Sequence, residues 1–117
     1  MTILVGPDFI GLMAEDLDTA KAFYGDLLGL PTLQSTPEAV VFDSKPIPFA
    51  VRKPIGPLAS ERGSGVALWF ACADADALHT ELVERGTPIV HAPKDGPFGR
   101  YFAFRDPFGY AITAHTS

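Results

Sequence analysis

The sequence has a single cysteine, Cys72, so an internal disulfide is excluded and a reducing compartment is expected. No basic cluster is longer than the pair Arg52-Lys53, and 9 basic residues against 14 acidic ones leave a formal charge of −5. Nucleic acid is therefore excluded as an expected partner. No apolar run approaches the roughly 18 residues that a spanning helix needs, so no membrane partner is expected either. The opening MTILVGPDF lacks the basic start and cleavage site of a secretory signal, and a cytoplasmic location is the expectation. Missing too are HExxH, CxxC, P-loop and GxSxG patterns, and Cys72 has no basic neighbour to activate its thiol.

What is present is a chain of 117 residues, 47% of them hydrophobic, enough for one domain spanning residues 1–117 with a buried core. The stretch DLDTAKAFYGDLLGLP sets Ala20, Phe23, Tyr24, Leu27 and Leu28 on one helical face, and Gly29 and Pro31 stop the helix. DADALHTELVERGTP has the same plan, with Leu78, Leu82 and Val83 as the apolar face and His79 turned to solvent, before Gly86 and Pro88. Asp16, Asp18, Asp74 and Asp76 stand where the helices begin, where capping accounts for them without a ligand. The Asp16–Asp74 and Asp18–Asp76 pairs share one offset of 58, which marks an internal repeat.

Strand-like runs DFIGLMA and GVALWFA precede the two helices. TLQS, AVVFD and PFAVR follow the first, and PIVHA, RYFAF and YAITAH follow the second. The fold class is thus α+β, with βαβββ repeats over about 8–53 and 65–116 and a Pro/Gly/Ser-containing linker at 54–64. Neither half is large enough to bury a core alone, so they are expected to pack together, with a ligand cleft between them.

The runs AFYGDLLGL and GRYFAFRDPFG resemble the vicinal oxygen chelate superfamily, which includes glyoxalase I, extradiol dioxygenases, fosfomycin-modifying transferases and bleomycin resistance proteins. The likeness covers nearly the whole chain and is nearest to the bleomycin-resistance form. It implies a curved mixed sheet with a concave cleft and a homodimer with pockets at or near the interface. In metal-dependent members the ligands stand on the first and fourth strands of each half, and the matching positions here are Phe9, Arg52, Gly65 and Thr113. These offer a divalent ion no adequate donor set, so no metal and no other cofactor is expected.

Strand alternation from those positions puts Phe9, Gly11 and Met13 on the cleft face, with Gly65, Ala67 and Trp69, and with Ala111, Thr113 and His115. The resemblance adds Tyr101 and Ala103. The candidate ligand-binding residues are Phe9, Met13, Arg52, Trp69, Phe98, Tyr101, Thr113 and His115, with small residues as the floor and Trp69 and Tyr101 as flat faces for stacking. Phe23, Phe42, Phe102 and Phe104 are expected in the core. The preferred reading is a metal-free protein that sequesters an aromatic, antibiotic-like small molecule, a resistance function. A second is a lyase or dioxygenase-like enzyme with a displaced metal site drawing on His115, His91 or Glu38, or with Tyr101 or His115 as a metal-free acid or base. A third is a protein-interaction module.

Overall fold

Asp16 and Asp74 cap the two helices. The computed structural model describes residues 3–116, and in it the Asp16 carboxylate accepts the N–H groups of Asp18 and Thr19, both at 3.1 Å. These bonds, that from Thr19 foremost, hold the Asp16 carboxyl below the usual carboxylate range. Asp74 accepts from the N–H of Ala77. Both aspartates are extended at the cap, as an N-cap residue should be.

The chain forms two compact units, one up to Leu58 and one from Ala59 onward. The first contains β1 (Ile10–Met13), α1 (Leu17–Ala20), β2 (Thr32–Ser35), β3 (Ala39–Phe42) and β4 (Phe49–Arg52). The second contains β5 (Leu68–Ala71), α2 (Ala75–Glu84), β6 (Ile89–Gly96), β7 (Gly99–Arg105) and β8 (Ala111–Thr116). Each is a βαβββ module with a four-stranded mixed sheet. The orders, β1-β4-β3-β2 and β5-β8-β7-β6, match strand for strand. In each, the strand before the helix runs parallel to the last strand, and the other pairings are antiparallel.

The first helix is not α-helical throughout. After Ala20 it continues with π-type bonding over Lys21–Leu27, and the Leu28 N–H reaches back to the Phe23 carbonyl. Gly25 lies within this wider stretch, where a Cβ would already touch the Phe42 ring at 3.6 Å. The apolar face survives the change: Ala20, Phe23 and Tyr24 are buried. Tyr24 gathers the first core, with ring centroids 4.9 Å from Phe49 and 5.1 Å from Phe23. Gly29 then takes the positive φ that closes the helix, as Gly86 does after α2.

On α2 the phase of the buried face differs from expectation. Ala75 and Leu82 are buried, Val83 is half exposed, and His79 is half-buried with its ring edge-on to Phe102 at 5.3 Å. The stripe therefore runs through Ala75, Leu78, His79 and Leu82, the i, i+3, i+4, i+7 set, and His79 does not face solvent. Phe102, Phe104 and Ile112 complete this core, each at most 1% exposed. Thr116 ties sheet to helix, its hydroxyl accepting the Ala75 N–H at 2.7 Å. Among the described residues no helix is long and apolar enough to cross a membrane.

Candidate functional site

Cross-strand neighbours share a sheet face, so the register of the second unit sorts its side chains without ambiguity. Trp69 lies opposite Thr113, and Thr113 opposite Ala103; Ala71 lies opposite His115, and His115 opposite Tyr101. These residues occupy the face away from the buried Phe102, Phe104, Ile112 and Ala114. Trp69 rises from the small floor of Ala103 and Thr113 and remains 46% exposed, although it stands on a strand beside a core.

Three rings surround the indole. Tyr101 stacks on it at 5.5 Å and 29°, His115 meets it edge-on at 5.7 Å, and Phe98 meets it edge-on at 6.1 Å. Phe98 is 68% exposed and sits with Pro97 at the tip of the β6–β7 hairpin, held by the Gly96–Gly99 pair. Gly96 is also the seat of Tyr101: a Cβ there would stand 2.5 Å from Tyr101 Cε1, so a larger residue would displace the ring. The hairpin is braced to α2 on its other face by Arg100, whose guanidinium bonds Asp76 at 3.3 Å and Asp95 at 3.4 Å. The bond to Asp76, the largest cause, raises the Arg100 pKa.

Polar groups flank the rings. His91 lies edge-on to Tyr101 at 5.3 Å, and Lys94 places Nζ 5.5 Å from the Tyr101 centroid. The His91 Nδ1 is 2.9 Å from the Ala92 carbonyl, which can only accept, so in the neutral ring Nδ1 carries the hydrogen and Nε2 keeps its lone pair. The His115 Nδ1 is buried with no hydrogen-bond partner among the described residues. A buried polar atom left so costs about 1–3 kcal/mol, a penalty that concentrates at functional sites.

The structure thus gathers Trp69, Phe98, Tyr101, Thr113 and His115 in one unit. In the other unit Met13 pairs with Arg52, and Phe9 is half-exposed with its ring beside Gly11. Arg52 is exposed, and its Nε donates to the Lys53 carbonyl at 3.3 Å. An open depression of about 690 Å³ near Glu15, Asp18, Lys21, Thr36 and Lys53 is polar and carries both signs of charge; it offers no aromatic surface.

Phe9 directly precedes β1 and Ala67 directly precedes β5, so neither stands on its strand as expected, and two further positions differ from the strand reading. Gly65 precedes β5 in a turn, with φ +83°, and so is not a strand-face position at all. By repeat symmetry the Trp69–Thr113 pair corresponds to Gly11–Ala50 and the Ala71–His115 pair to Met13–Arg52, so Ala50, not Arg52, is the counterpart of Thr113. Neither change supplies a metal donor. No three His, Cys, Asp or Glu side chains come together to hold an ion among the described residues, so neither the inherited positions nor a displaced set through His91, His115 or Glu38 fits a divalent metal. His91 and Lys94 went unrecognised as neighbours of Tyr101. They are three residues apart, and only the irregular register between them returns both to one face. Pro93 was the available signal.

A sequence profile of the Glyoxalase/Bleomycin resistance protein/Dioxygenase superfamily matches residues 6–113. The chain is 30% identical over 104 residues to the anthracycline biosynthesis protein DauV of Streptomyces sp. (strain C5), covering 86% of this chain and 38% of that relative's length. A glyoxalase/bleomycin resistance protein from Streptomyces sp. CB03234 superposes with a TM-score of 0.74 at 27% identity, over 94% of this chain and 99% of that one. A glyoxalase-related enzyme from Fulvimarina pelagi superposes with a TM-score of 0.81 at 21% identity, over 97% and 89% of the two chains, a likeness of fold.

Proposed function

The chain belongs to the glyoxalase/bleomycin resistance protein/dioxygenase superfamily, and on that premise we propose that it is a metal-free binding protein that sequesters a planar aromatic small molecule against Trp69. The observation that carries this reading is the exposed indole, covered on one side by Tyr101 and edged by Phe98 and His115. An aromatic whose ring is fixed in place loses little entropy when a flat ligand stacks on it. A relative named for anthracycline biosynthesis supports a fused-ring ligand, since anthracyclines are planar polycycles. Antibiotic-like ligands and a resistance role follow from the same reading.

The test is thermal melting with planar polycyclic probes before and after treatment with a chelator. A saturating ligand at about 100 times its Kd adds about 2.7 kcal/mol, which corresponds to a rise of about 10 °C in Tm for a domain of this size. The rise is expected to be identical after chelation. Stoichiometric metal retained through dialysis, or binding abolished by the chelator, would refute the metal-free reading.

A metal-independent enzyme is the second reading, favoured by the placement of Tyr101 beside both His91 and His115. Recovery of the bound molecule unchanged after long incubation supports sequestration; a new product supports the enzyme. We further propose a symmetric homodimer. The strand β2 is exposed throughout at a sheet edge, with Leu33 61% exposed, a surface that pairing would protect. Light scattering at micromolar concentration is expected to give twice the 12.5 kDa chain mass, and a monomer mass alone would contradict it.

A further inference from the structure

We propose that the aromatic ligand is an anion, a planar ring system carrying a carboxylate or other acidic group. This rests on the stacking reading and adds the sign of the charge. The face that bears Trp69 and Tyr101 has its own electrostatic character. The register puts His91, Lys94, Arg105 and His115 on it, because they lie opposite Ala103, Tyr101, Ala111 and Tyr101 respectively. None of the strand residues that the register assigns to this face is a carboxylate.

The acidic residues of the neighbourhood are placed elsewhere. Asp95 is paired with Arg100 on the opposite face, where both Asp95 and Asp76 bind the guanidinium. Asp106 is 4% exposed and is used inside its own turn, accepting the N–H groups of Phe108 and Tyr110 at 2.9 Å. Lys94 and Arg105 are exposed and have no carboxylate partner among the described residues; Arg105 donates to the Gly109 carbonyl.

A chain of net charge −5 that collects uncompensated cations on the sheet face carrying its one tryptophan is arranged against its own average. The physical consequence is selection. A cationic ring on this face would meet Lys94 and Arg105 with no counter-charge, whereas an anionic ring meets two cations and no carboxylate. Lys94 has its Nζ over the Tyr101 ring, whereas the Arg105 guanidinium is held by the Gly109 carbonyl, so Lys94 is the one to test. Both cations are exposed, so the preference will weaken as salt screens it.

The experiment is a calorimetric titration of the whole protein at low ionic strength with three probes of one shape: 2-naphthoate, 2-naphthamide and 2-naphthylmethylammonium. Naphthoate is expected to bind about tenfold tighter than the amide, with the ammonium weakest. Lys94→Gln is expected to remove most of that advantage without weakening the amide. Lys94→Arg, which keeps the charge, should retain it, and so should Lys53→Gln, an exposed lysine of the other unit. Equal affinity for the three probes, or tightest binding of the ammonium, overturns the anionic assignment and leaves the stacking reading standing. Failure of all three to bind overturns both.

Discussion

Trp69→Ala is expected to weaken binding of 2-naphthoate by about 1–3 kcal/mol, the usual cost of truncating an aromatic anchor in a binding surface. Its melting temperature should change far less than that of a core variant. The indole is 46% exposed, so removing it opens no enclosed cavity; what the fold loses is its ring contacts with Tyr101, His115 and Phe98. Tyr101 keeps its seat over Gly96 in the variant, and half of the platform therefore remains. Trp69 is the only tryptophan, so in the wild-type protein bound ligand should quench or shift the entire indole emission. Affinity and melting temperature measured on the same variant decide the matter. Early melting with normal affinity would make Trp69 a structural residue and end the stacking role.

Phe102→Ala carries the largest expected effect on stability, about 3–5 kcal/mol, against a total of roughly 5–15 kcal/mol for a domain. Phe102 has no exposed surface, packs at 5.7 Å from Phe104, and receives the edge of His79 at 5.3 Å. Its removal leaves a void bounded by rigid rings, where collapse is limited and the cavity cost is retained in full. Denaturant midpoints of wild type and variant measure the loss. A change below about 1 kcal/mol would show that the site closes over the gap. Phe102 and Trp69 stand on opposite faces of the same sheet, and the contrast between their variants separates the core from the platform.

Local chemistry made much of the fold legible. Aspartate caps, stop glycines and alternating strands act over a few residues, so Asp16, Asp74, Gly29, Gly86 and the whole of β2 stand where the pattern puts them. The repeat was legible for the same reason, because both modules use the same local signals. The buried set of Phe23, Phe42, Phe102 and Phe104 also follows from alternation and helical spacing.

What local signals do not carry is the pairing between distant segments. The π-type stretch after Ala20, the phase of α2 that turns His79 inward, the placement of Gly65 before its strand, and the match of Thr113 with Ala50 are all decided by packing and register. The candidate site shows the division most clearly. Trp69, Tyr101, Phe98 and His115 are candidate ligand contacts through the family resemblance, which sets the cleft-facing positions, with strand alternation extending them. Only the tertiary structure stacked Tyr101 on Trp69 and, through the irregular β6–β7 register, brought Lys94 beside Tyr101. An irregularity of register inverts the alternation on which any reading of a strand depends, and Pro93 signals one here without saying which residues it returns to the same face.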